Sequence, residues 1–267
     1  MANTQKKIKK LKIAIPKGRV LKDSLELLRK AGFIQHPDSD YDSRRLIFDY
    51  KEDRVSLLIV KPWDVPTFVE YGAADAGISG KDVLLEKPKN VYEPLDLKIG
   101  RCKIVAAVNR DLIKGNASGL NNTGGVAAIG QSPDGVHVPL SRVPAESRSE
   151  SRHLKLYYSR ANLRVATKYV RIAKDFFNKK GVPNVQIIKL YGNVELAPAS
   201  GLCDFIVDLV STGETLRQNN LISVEDITFV TSRLIINRAS LKINPGEIAS
   251  LIDNLKRQVE KNADADI

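Results

Sequence analysis

A strand-to-helix junction is the segment of this sequence best suited to bind a phosphate. The string DLVSTGETL, from Asp208 to Leu216, leaves an apolar strand at a carboxylate and turns through Ser211, Thr212 and Gly213 into a helix. Such a junction directs backbone N–H groups, hydroxyl groups and the positive end of a helix dipole at one place. An ordinary helix cap would have the same sequence, whereas a P-loop is excluded because no lysine follows the glycine at the required position.

The aspartate at the end of that strand is a second candidate ligand. Asp208 suits either the hydroxyl groups of a ribose or a hydrated Mg²⁺, because both bind carboxylate oxygens. An aspartate at this place would equally stabilise a turn. Both interpretations therefore remain open on the residues alone.

A cationic turn follows the first apolar run of the chain. In PKGRV, residues 16–20, Gly18 permits close approach of the backbone, and Lys17 and Arg19 supply positive charge. Ligands of open α/β sheets bind at the carboxyl ends of strands, so this turn predicts an anion site. Arg44 and Arg45 precede the run LIFDY and would add positive charge, although one of two adjacent residues normally faces solvent.

A glycine turn in DAGISGKD, residues 75–82, is a third candidate. It opens from a predicted strand onto a predicted helix, so simple turn chemistry explains it as well as ligand binding does. Gly80, Lys81 and Asp82 are the residues that it would contribute.

Several other chemistries are disfavoured by the residue types present. The chain has three histidines, so a histidine-based triad or a histidine-rich metal site is not expected. No serine lies in a G-x-S-x-G elbow. Cys102 and Cys203 lie in apolar segments without metal-ligand spacing, which predicts free thiols in the core.

The formal net charge of +11 would suggest a nucleic-acid partner if it were spread over one face. Five lysines instead fall within the first twelve residues, and much of the remaining excess lies between Arg110 and Arg160. Neither a regular alternation of aromatic and basic residues nor a recognition-helix pattern is found there, so we expect neither nucleic-acid binding nor membrane binding. The start of the chain lacks the apolar core of a secretory signal, which predicts a cytoplasmic protein.

Strands alternate with helices along the chain, which predicts an α/β fold with a parallel or mixed sheet. Helices are predicted after the first strand, between Pro62 and Gly72, from Lys168 to Lys180, and from Asn244 onward with Ile248, Leu251, Ile252, Leu255 and Val259 inward. The predicted strands are LKIAIP, RLIFDY, VSLLIV, DAGIS, CKIVAAV, LRVAT, VQIIKL and DFIVDL.

Residues 111–159 interrupt this alternation. They lose periodicity and are rich in glycine, serine and asparagine, which predicts an exposed and largely disordered insertion, or one that orders in part against a partner. Loop-closure cost grows only with the logarithm of length, so we expect a short Gly/Ser linker to replace the segment with little loss of folding or catalysis.

The string ELAPASGLCDFIVDLVSTGETL, Glu195 to Leu216, resembles the signature of the ATP phosphoribosyltransferase family. Cys203 departs from the pattern, since a small Ser, Ala or Gly is usual there. The resemblance extends in order over nearly the whole chain outside the basic start and the insertion. It is carried further by IPKGRVL, SRRLIF, WDVPTFVEYGAADAGISGKDVLLE, LDLKIGRCKI, LRVATKYV, IKLYGNVELAP and SRLIINRAS.

The resemblance implies a two-domain architecture like that of type II periplasmic binding proteins, with the active site in the cleft between the domains. Domain I would comprise residues 1–103 and 222–267, and domain II residues 104–221. The chain stops after one amphipathic helix, so it is similar to the short form, which works with a regulatory subunit similar to histidyl-tRNA synthetase. We therefore expect a homodimer joined to such a subunit in a hetero-oligomer.

The reaction implied by the resemblance transfers the 5-phosphoribosyl group of phosphoribosyl pyrophosphate to N1 of ATP, the first step of histidine biosynthesis. Mg²⁺ would be held by the substrate phosphates, with Asp208 as an alternative ligand. Arg19 and Arg44 would be the catalytic residues. The phosphoribosyl pyrophosphate site would comprise Glu195, Asp208, Ser211, Thr212, Gly213, Glu214 and Thr215, and the ATP site Lys17, Gly18, Arg19, Arg44, Gly80, Lys81 and Asp82.

A non-catalytic small-molecule receptor is the alternative, because the same architecture also serves solute-binding proteins and the effector domains of regulators. The release of pyrophosphate from the two substrates would distinguish the enzyme from the receptor.

Overall fold

The structure is a computed structural model that describes residues 10–35, 45–50, 53–113, 129–131, 137–139, 157, 162–182 and 184–265. It divides into two compact units, Met1–Arg101 with Val230–Ile267, and Cys102–Phe229. Placement of the active site between two domains, which the resemblance implies, stays a prediction.

The secondary-structure elements are numbered in chain order. The strands are β1 (Leu11–Pro16), β2 (Ile47–Phe48), β3 (Val55–Val60), β4 (Ala76–Gly80), β5 (Tyr92–Asp96), β6 (Cys102–Asn109), β7 (Ile129–Gln131), β8 (His137–Pro139), β9 (Leu163–Thr167), β10 (Val185–Lys189), β11 (Phe205–Val210), β12 (Leu221–Val230) and β13 (Ser232–Ile236). The helices are α1 (Leu21–Lys30), α2 (Val65–Glu70), α3 (Lys81–Glu86), α4 (Val170–Lys179), α5 (Leu196–Ala199), α6 (Glu214–Gln218), α7 (Ser240–Ile243) and α8 (Pro245–Ala265).

The sheet of the first unit has the strand order β2-β3-β1-β4-β13-β5. β3, β1 and β4 run parallel, whereas β13 runs antiparallel to both β4 and β5. The three parallel strands therefore end at the same edge. The predicted strand RLIFDY is paired only at Ile47 and Phe48.

Helices α1 and α8 cover one face of this first sheet. α8 buries Ile248, Leu251 and Leu255 against a core that contains Ile13 and Leu28. The predicted inward residues of this helix are therefore buried, with Ile252 partly so. The spacing of three and four residues explains the result, because it aligns apolar side chains on one helical face.

The sheet of the second unit has the order β10-β9-β11-β6-β12. β10, β9 and β11 are parallel, and β6 is antiparallel to β11. The second unit extends to Phe229, beyond the predicted boundary at residue 221, because β12 belongs to this sheet. The predicted helix from Lys168 begins at Val170 instead.

The predicted insertion contains one residue that belongs to the core of the second unit. Tyr157 is 1% exposed, and its ring lies 5.4 Å from that of Phe177 and 5.1 Å from that of Phe205. Its hydroxyl donates a hydrogen bond of 2.9 Å to Glu225, which also pairs with Lys180. The expectation of an exposed insertion as far as residue 159 therefore fails at Tyr157.

Another part of the same segment is a two-stranded hairpin, in which β7 pairs antiparallel with β8. Most of the remaining residues in 111–159 lie outside the described residues, so the expectation of disorder there stays a prediction. Among the described residues, no helix is both long and apolar enough to cross a membrane.

Candidate functional site

The first candidate site lies at the carboxyl edge of the parallel strands in the first unit. Lys17, Gly18 and Arg19 follow β1 directly and are exposed. The backbone N–H of Lys17 donates a 2.8 Å hydrogen bond to the carbonyl of Val60, which holds this turn against the end of β3. Gly18 has φ +103°, a conformation that favours glycine over other residues. The sequence-predicted cationic turn is therefore at a strand edge where α/β sheets bind ligands.

Another cation at this edge was missed by the sequence analysis. Lys61 follows β3, the neighbour of β1, and is exposed. The signal was its position directly after the apolar run VSLLIV. Arg44 lies outside the described residues, so its predicted role stays a prediction.

The glycine turn after β4 lies at the same edge, but its side chains have partners within the unit. The ammonium of Lys81 lies 2.8 and 2.9 Å from the two carboxylate oxygens of Glu93. Asp82 is buried, and a Cβ atom at position 80 would overlap one of its carboxylate oxygens. Gly80 and Asp82 therefore fit together as a helix start, which favours the turn interpretation for these two residues.

The second candidate site lies at the carboxyl edge of β10, β9 and β11 in the second unit. The turn of Ser211, Thr212 and Gly213 follows β11 and leads into α6. Gly213 has φ +79°, so a side chain there would strain the backbone. Ser211, Thr212 and Thr215 are exposed. The turn thus presents hydroxyl groups to solvent, as the sequence predicted.

The carboxylate of Glu214 is directed along α6 and not into that turn. It accepts hydrogen bonds of 2.9 and 2.6 Å from Arg217 and one of 2.8 Å from Gln218. The hydrogen bond from Arg217 holds the pKa of Glu214 below its ordinary value. The backbone N–H of Glu214 donates a long hydrogen bond of 3.4 Å to the hydroxyl of Thr212, so an anion would have to replace that hydroxyl to reach it. The negative charge of Glu214 is partly offset by Arg217.

Asp208 lies on β11, three residues before the turn, and it pairs with a residue that the sequence analysis did not select. The ammonium of Lys168, which follows β9, lies 3.2 Å from Oδ1 of Asp208. Glu195 is partly buried at the start of α5, after the neighbouring strand β10. The adjacent strands β10, β9 and β11 therefore place these residues toward one edge of the sheet: Lys168, Glu195, Asp208 and the 211–215 turn.

Neither Cys102 nor Cys203 forms a disulfide, and Cys203 is buried just before β11. Burial raises the pKa of the Cys203 thiol to about 11, so the thiolate that would act as a nucleophile is scarce near neutral pH. The predicted core position is confirmed for Cys203, whereas Cys102 is only partly buried.

The two units share their fold with periplasmic binding proteins. The periplasmic aliphatic sulphonate binding protein SsuA from Escherichia coli has a TM-score of 0.52 at 14% identity, over 94% of this chain and 72% of that protein. This likeness concerns the fold alone. It confirms the predicted type II periplasmic-binding-protein-like class.

The family is identified by sequence relatives and a solved complex. A sequence model described as ATP phosphoribosyltransferase matches residues 61–128 and 139–257. The ATP phosphoribosyltransferase of Geobacter metallireducens is 45% identical over 249 residues, which cover 93% of this chain and 98% of the relative. That of Syntrophotalea carbinolica is 42% identical over 253 residues, with coverage of 95% and 97%. The ATP phosphoribosyl transferase (HisG:HisZ) complex from Thermotoga maritima has a TM-score of 0.65 at 27% identity, over 94% of this chain and 99% of the solved one.

This chain belongs to the ATP phosphoribosyltransferase family. It is accordingly an enzyme, a pentosyltransferase, and the receptor alternative is not favoured.

Proposed function

We propose that this chain transfers the 5-phosphoribosyl group of phosphoribosyl pyrophosphate to N1 of ATP and releases pyrophosphate, as the first step of histidine biosynthesis. The observation that carries the proposal is the 45% identity to an ATP phosphoribosyltransferase over 93% of the chain. The hydroxyl-rich turn at the end of β11 supports it, because it offers donors suited to a phosphate.

The chemistry of the reaction agrees with the residues at the two edges. N1 of adenine has a free lone pair, so attack on C1 of the ribose needs no general base. The enzyme must orient two polyanions and stabilise the departing pyrophosphate, which calls for fixed donors and cations. Lysine, arginine and hydroxyl side chains at strand ends are suited to that task.

We assign phosphoribosyl pyrophosphate to the second-unit edge. The residues of the 211–215 turn would bind its 5-phosphate, with Glu214 contributing its backbone N–H in place of the long 3.4 Å hydrogen bond that it donates to Thr212, since its carboxylate pairs with Arg217. Glu195 and Asp208 would bind the ribose hydroxyls.

We assign phosphate chains to Lys17, Arg19 and Arg44 of the first unit. Lys81 is a weaker candidate, because binding a phosphate would require it to leave Glu93. Mg²⁺ would arrive as part of the substrate complexes, bound to their phosphate oxygens.

A regulatory partner completes the proposal. The solved complex from Thermotoga maritima joins two kinds of chain, HisG and HisZ, and this chain is similar to one of them. We propose that this protein works in the cytoplasm as a dimer with a subunit similar to histidyl-tRNA synthetase.

Pyrophosphate release from ATP and phosphoribosyl pyrophosphate in Mg²⁺ tests the proposed reaction when the chain is assayed alone, and tests the proposed partner when that subunit is added. Lack of release in both conditions would contradict the enzymatic proposal.

Substitutions in the 211–215 turn should weaken binding of phosphoribosyl pyrophosphate. Thr215→Ala removes one hydroxyl donor, and we expect a loss of about 1 to 3 kcal/mol in binding free energy. Gly213→Val should lose more, because a β-branched residue at φ +79° distorts the turn as well. Calorimetric titration with the Mg²⁺ complex of the substrate measures both effects.

Gly201→Val is the matched control for the strain at Gly213. Gly201 has φ +73° and ample space, but it precedes β11 and so lies at the opposite edge of the sheet. Both valine variants should lose folding stability, whereas only Gly213→Val should lose substrate affinity. Unchanged affinity in Gly213→Val and Thr215→Ala would place the 5-phosphate elsewhere.

A further inference from the structure

Lys168 lies beside Asp208 at the second-unit edge. Lys168 directly follows β9, and Asp208 lies on β11, the adjacent parallel strand. The Lys168 ammonium lies 3.2 Å from Oδ1 of the Asp208 carboxylate. The side chains are 28% and 20% exposed, so both are largely removed from water. A pair of this burial is screened less than a pair on the surface.

The backbone around Lys168 is anchored to the strand that carries Asp208. The hydroxyl of Thr167 donates a 2.6 Å hydrogen bond to the carbonyl of Val207, the residue directly before Asp208. The same hydroxyl accepts a 2.8 Å hydrogen bond from the N–H of Tyr169. The Tyr169 ring is buried, and its centre lies 5.0 Å from the Lys168 ammonium. These contacts place the ammonium next to the carboxylate before any substrate arrives.

One oxygen of the Asp208 carboxylate, Oδ1, has no hydrogen-bond donor among the described residues. This oxygen is buried, and its nearby cation is the Lys168 ammonium at 3.2 Å. Buried acceptors without a donor are uncommon in folded proteins. Oδ1 is thus held inside the unit beside Lys168, and a ligand hydroxyl would reach the carboxylate from the exposed part of the side chain.

A protein-bound Mg²⁺ fits this arrangement poorly. Mg²⁺ requires oxygen ligands at about 2.1 Å in near-octahedral geometry, whereas an ammonium group already lies beside the relevant Asp208 oxygen. Over the residues that the structure describes, no group of three or more His, Cys, Asp or Glu side chains could hold a metal ion. The alternative in which Asp208 ligates Mg²⁺ is therefore not supported by the residues around it.

We propose that Lys168 is the resident counter-ion of Asp208 and a positioning residue for phosphoribosyl pyrophosphate. Lys168 offsets the carboxylate charge, which would otherwise repel the polyanionic substrate, and it holds Asp208 where the carboxylate accepts hydrogen bonds from the ribose hydroxyls. Mg²⁺ then enters only with the substrate phosphates. This inference rests on the proposed function, because it takes the ribose as the ligand of Asp208.

Binding measurements on the full chain test the role of Lys168. Replacing Lys168 by methionine keeps most of its volume and removes its charge, and we expect the Kd for phosphoribosyl pyrophosphate to rise about tenfold or more. Lys168→Arg should recover most of that loss. The Kd for ATP should change less than about twofold, the usual effect of a substitution that does not touch the ligand. Lys174→Met, an exposed position on α4, is the charge-matched control and should bind as the unaltered chain does. Thermal unfolding of each variant establishes that it is folded at the titration temperature.

A double substitution and a metal titration test whether Lys168 acts through Asp208. Adding Lys168→Met to Asp208→Asn should weaken substrate binding no further than Asp208→Asn alone, since the carboxylate to be offset is gone. Titration of the substrate-free protein with Mn²⁺ alone, measured by electron paramagnetic resonance, should give the same result for the unaltered chain and for Asp208→Asn, because Asp208 holds no metal ion of its own. Additive losses in the double variant, or a Mn²⁺ site lost with Asp208, would overturn the proposal.

The failure of this inference can be told apart from failure of the proposed function. If the unaltered chain does not bind phosphoribosyl pyrophosphate, the proposed function itself fails. If it binds and Lys168→Met binds equally well, only the role of Lys168 is contradicted.

Discussion

Replacing Arg19 by alanine should lower turnover by about 10²- to 10³-fold, the scale of losing one preorganised group that stabilises a transition state. Arg19 follows β1 at the edge where the parallel strands of the first unit end, and its side chain is exposed. An exposed side chain contributes little to folding, so the thermal midpoint should stay nearly unchanged. Steady-state release of pyrophosphate measures the loss. We expect the same result for Arg44→Ala.

Lys22→Ala provides the control for the change in charge. Lys22 is exposed in the first turn of α1, three residues from Arg19, and its loss changes the net charge equally. A general electrostatic effect on anionic substrates would lower the turnover of both variants together. Unaltered turnover in both Arg19→Ala and Arg44→Ala would remove these arginines from the catalytic assignment.

Replacing Tyr157 by alanine should lower the free energy of unfolding by about 3 to 5 kcal/mol, the usual cost of deleting a buried aromatic ring. The ring is 1% exposed and packs between Phe177 and Phe205, so its removal leaves a cavity. Burial, and then the negative charge of Glu225, raises the pKa of Tyr157, so the hydroxyl stays protonated as the donor to that carboxylate. Denaturant unfolding measures the change.

Tyr157→Phe separates packing from hydrogen bonding. It keeps the ring and removes only the donor to Glu225, which retains Lys180 as a partner, so a loss of about 1 kcal/mol is expected. A Gly/Ser linker in place of residues 111–159 should now be destabilising, because it removes Tyr157. A linker that spares Tyr157 should be tolerated much better. Equal stability of the two linker variants, or an alanine variant as stable as the unaltered chain, would contradict a core role for this residue.

The order of strands and helices could be predicted largely from the sequence. β1, β3 and β9 occupy the residues predicted, and the others that were predicted begin or end within a residue or so, apart from the short β2. Local apolar runs and helical periodicity carry this information, because they reflect which faces must be buried. β5, β12 and β13 were not predicted as strands, because each pairs with a strand distant in the chain and local patterns do not specify such pairing. β7 and β8 lie within the segment predicted to be an insertion.

Much of the candidate site was also predictable, because turns after apolar runs place their residues at the carboxyl edge of a parallel sheet. The 16–20 turn and the 211–215 turn are both at such edges. The side-chain partners were not predictable. The sequence analysis predicted Lys81 and Glu214 as ligand-binding residues. In the structure Lys81 pairs with Glu93, and Glu214 pairs with Arg217.

The sequence by itself determined the α/β class, the family and the two turns that can bind phosphates, since each of these is encoded in residues close together in the chain. The tertiary structure alone decided that Lys168 accompanies Asp208 and that Tyr157 joins the core of the second unit. Lys168 and Asp208 lie as far apart in the chain as Thr167 and Val207, which are separated by 40 positions, and Tyr157 lies 68 positions from its hydrogen-bond partner Glu225. The physical reason is that sheet pairing brings such residues together, and neither composition nor periodicity specifies which strands become neighbours.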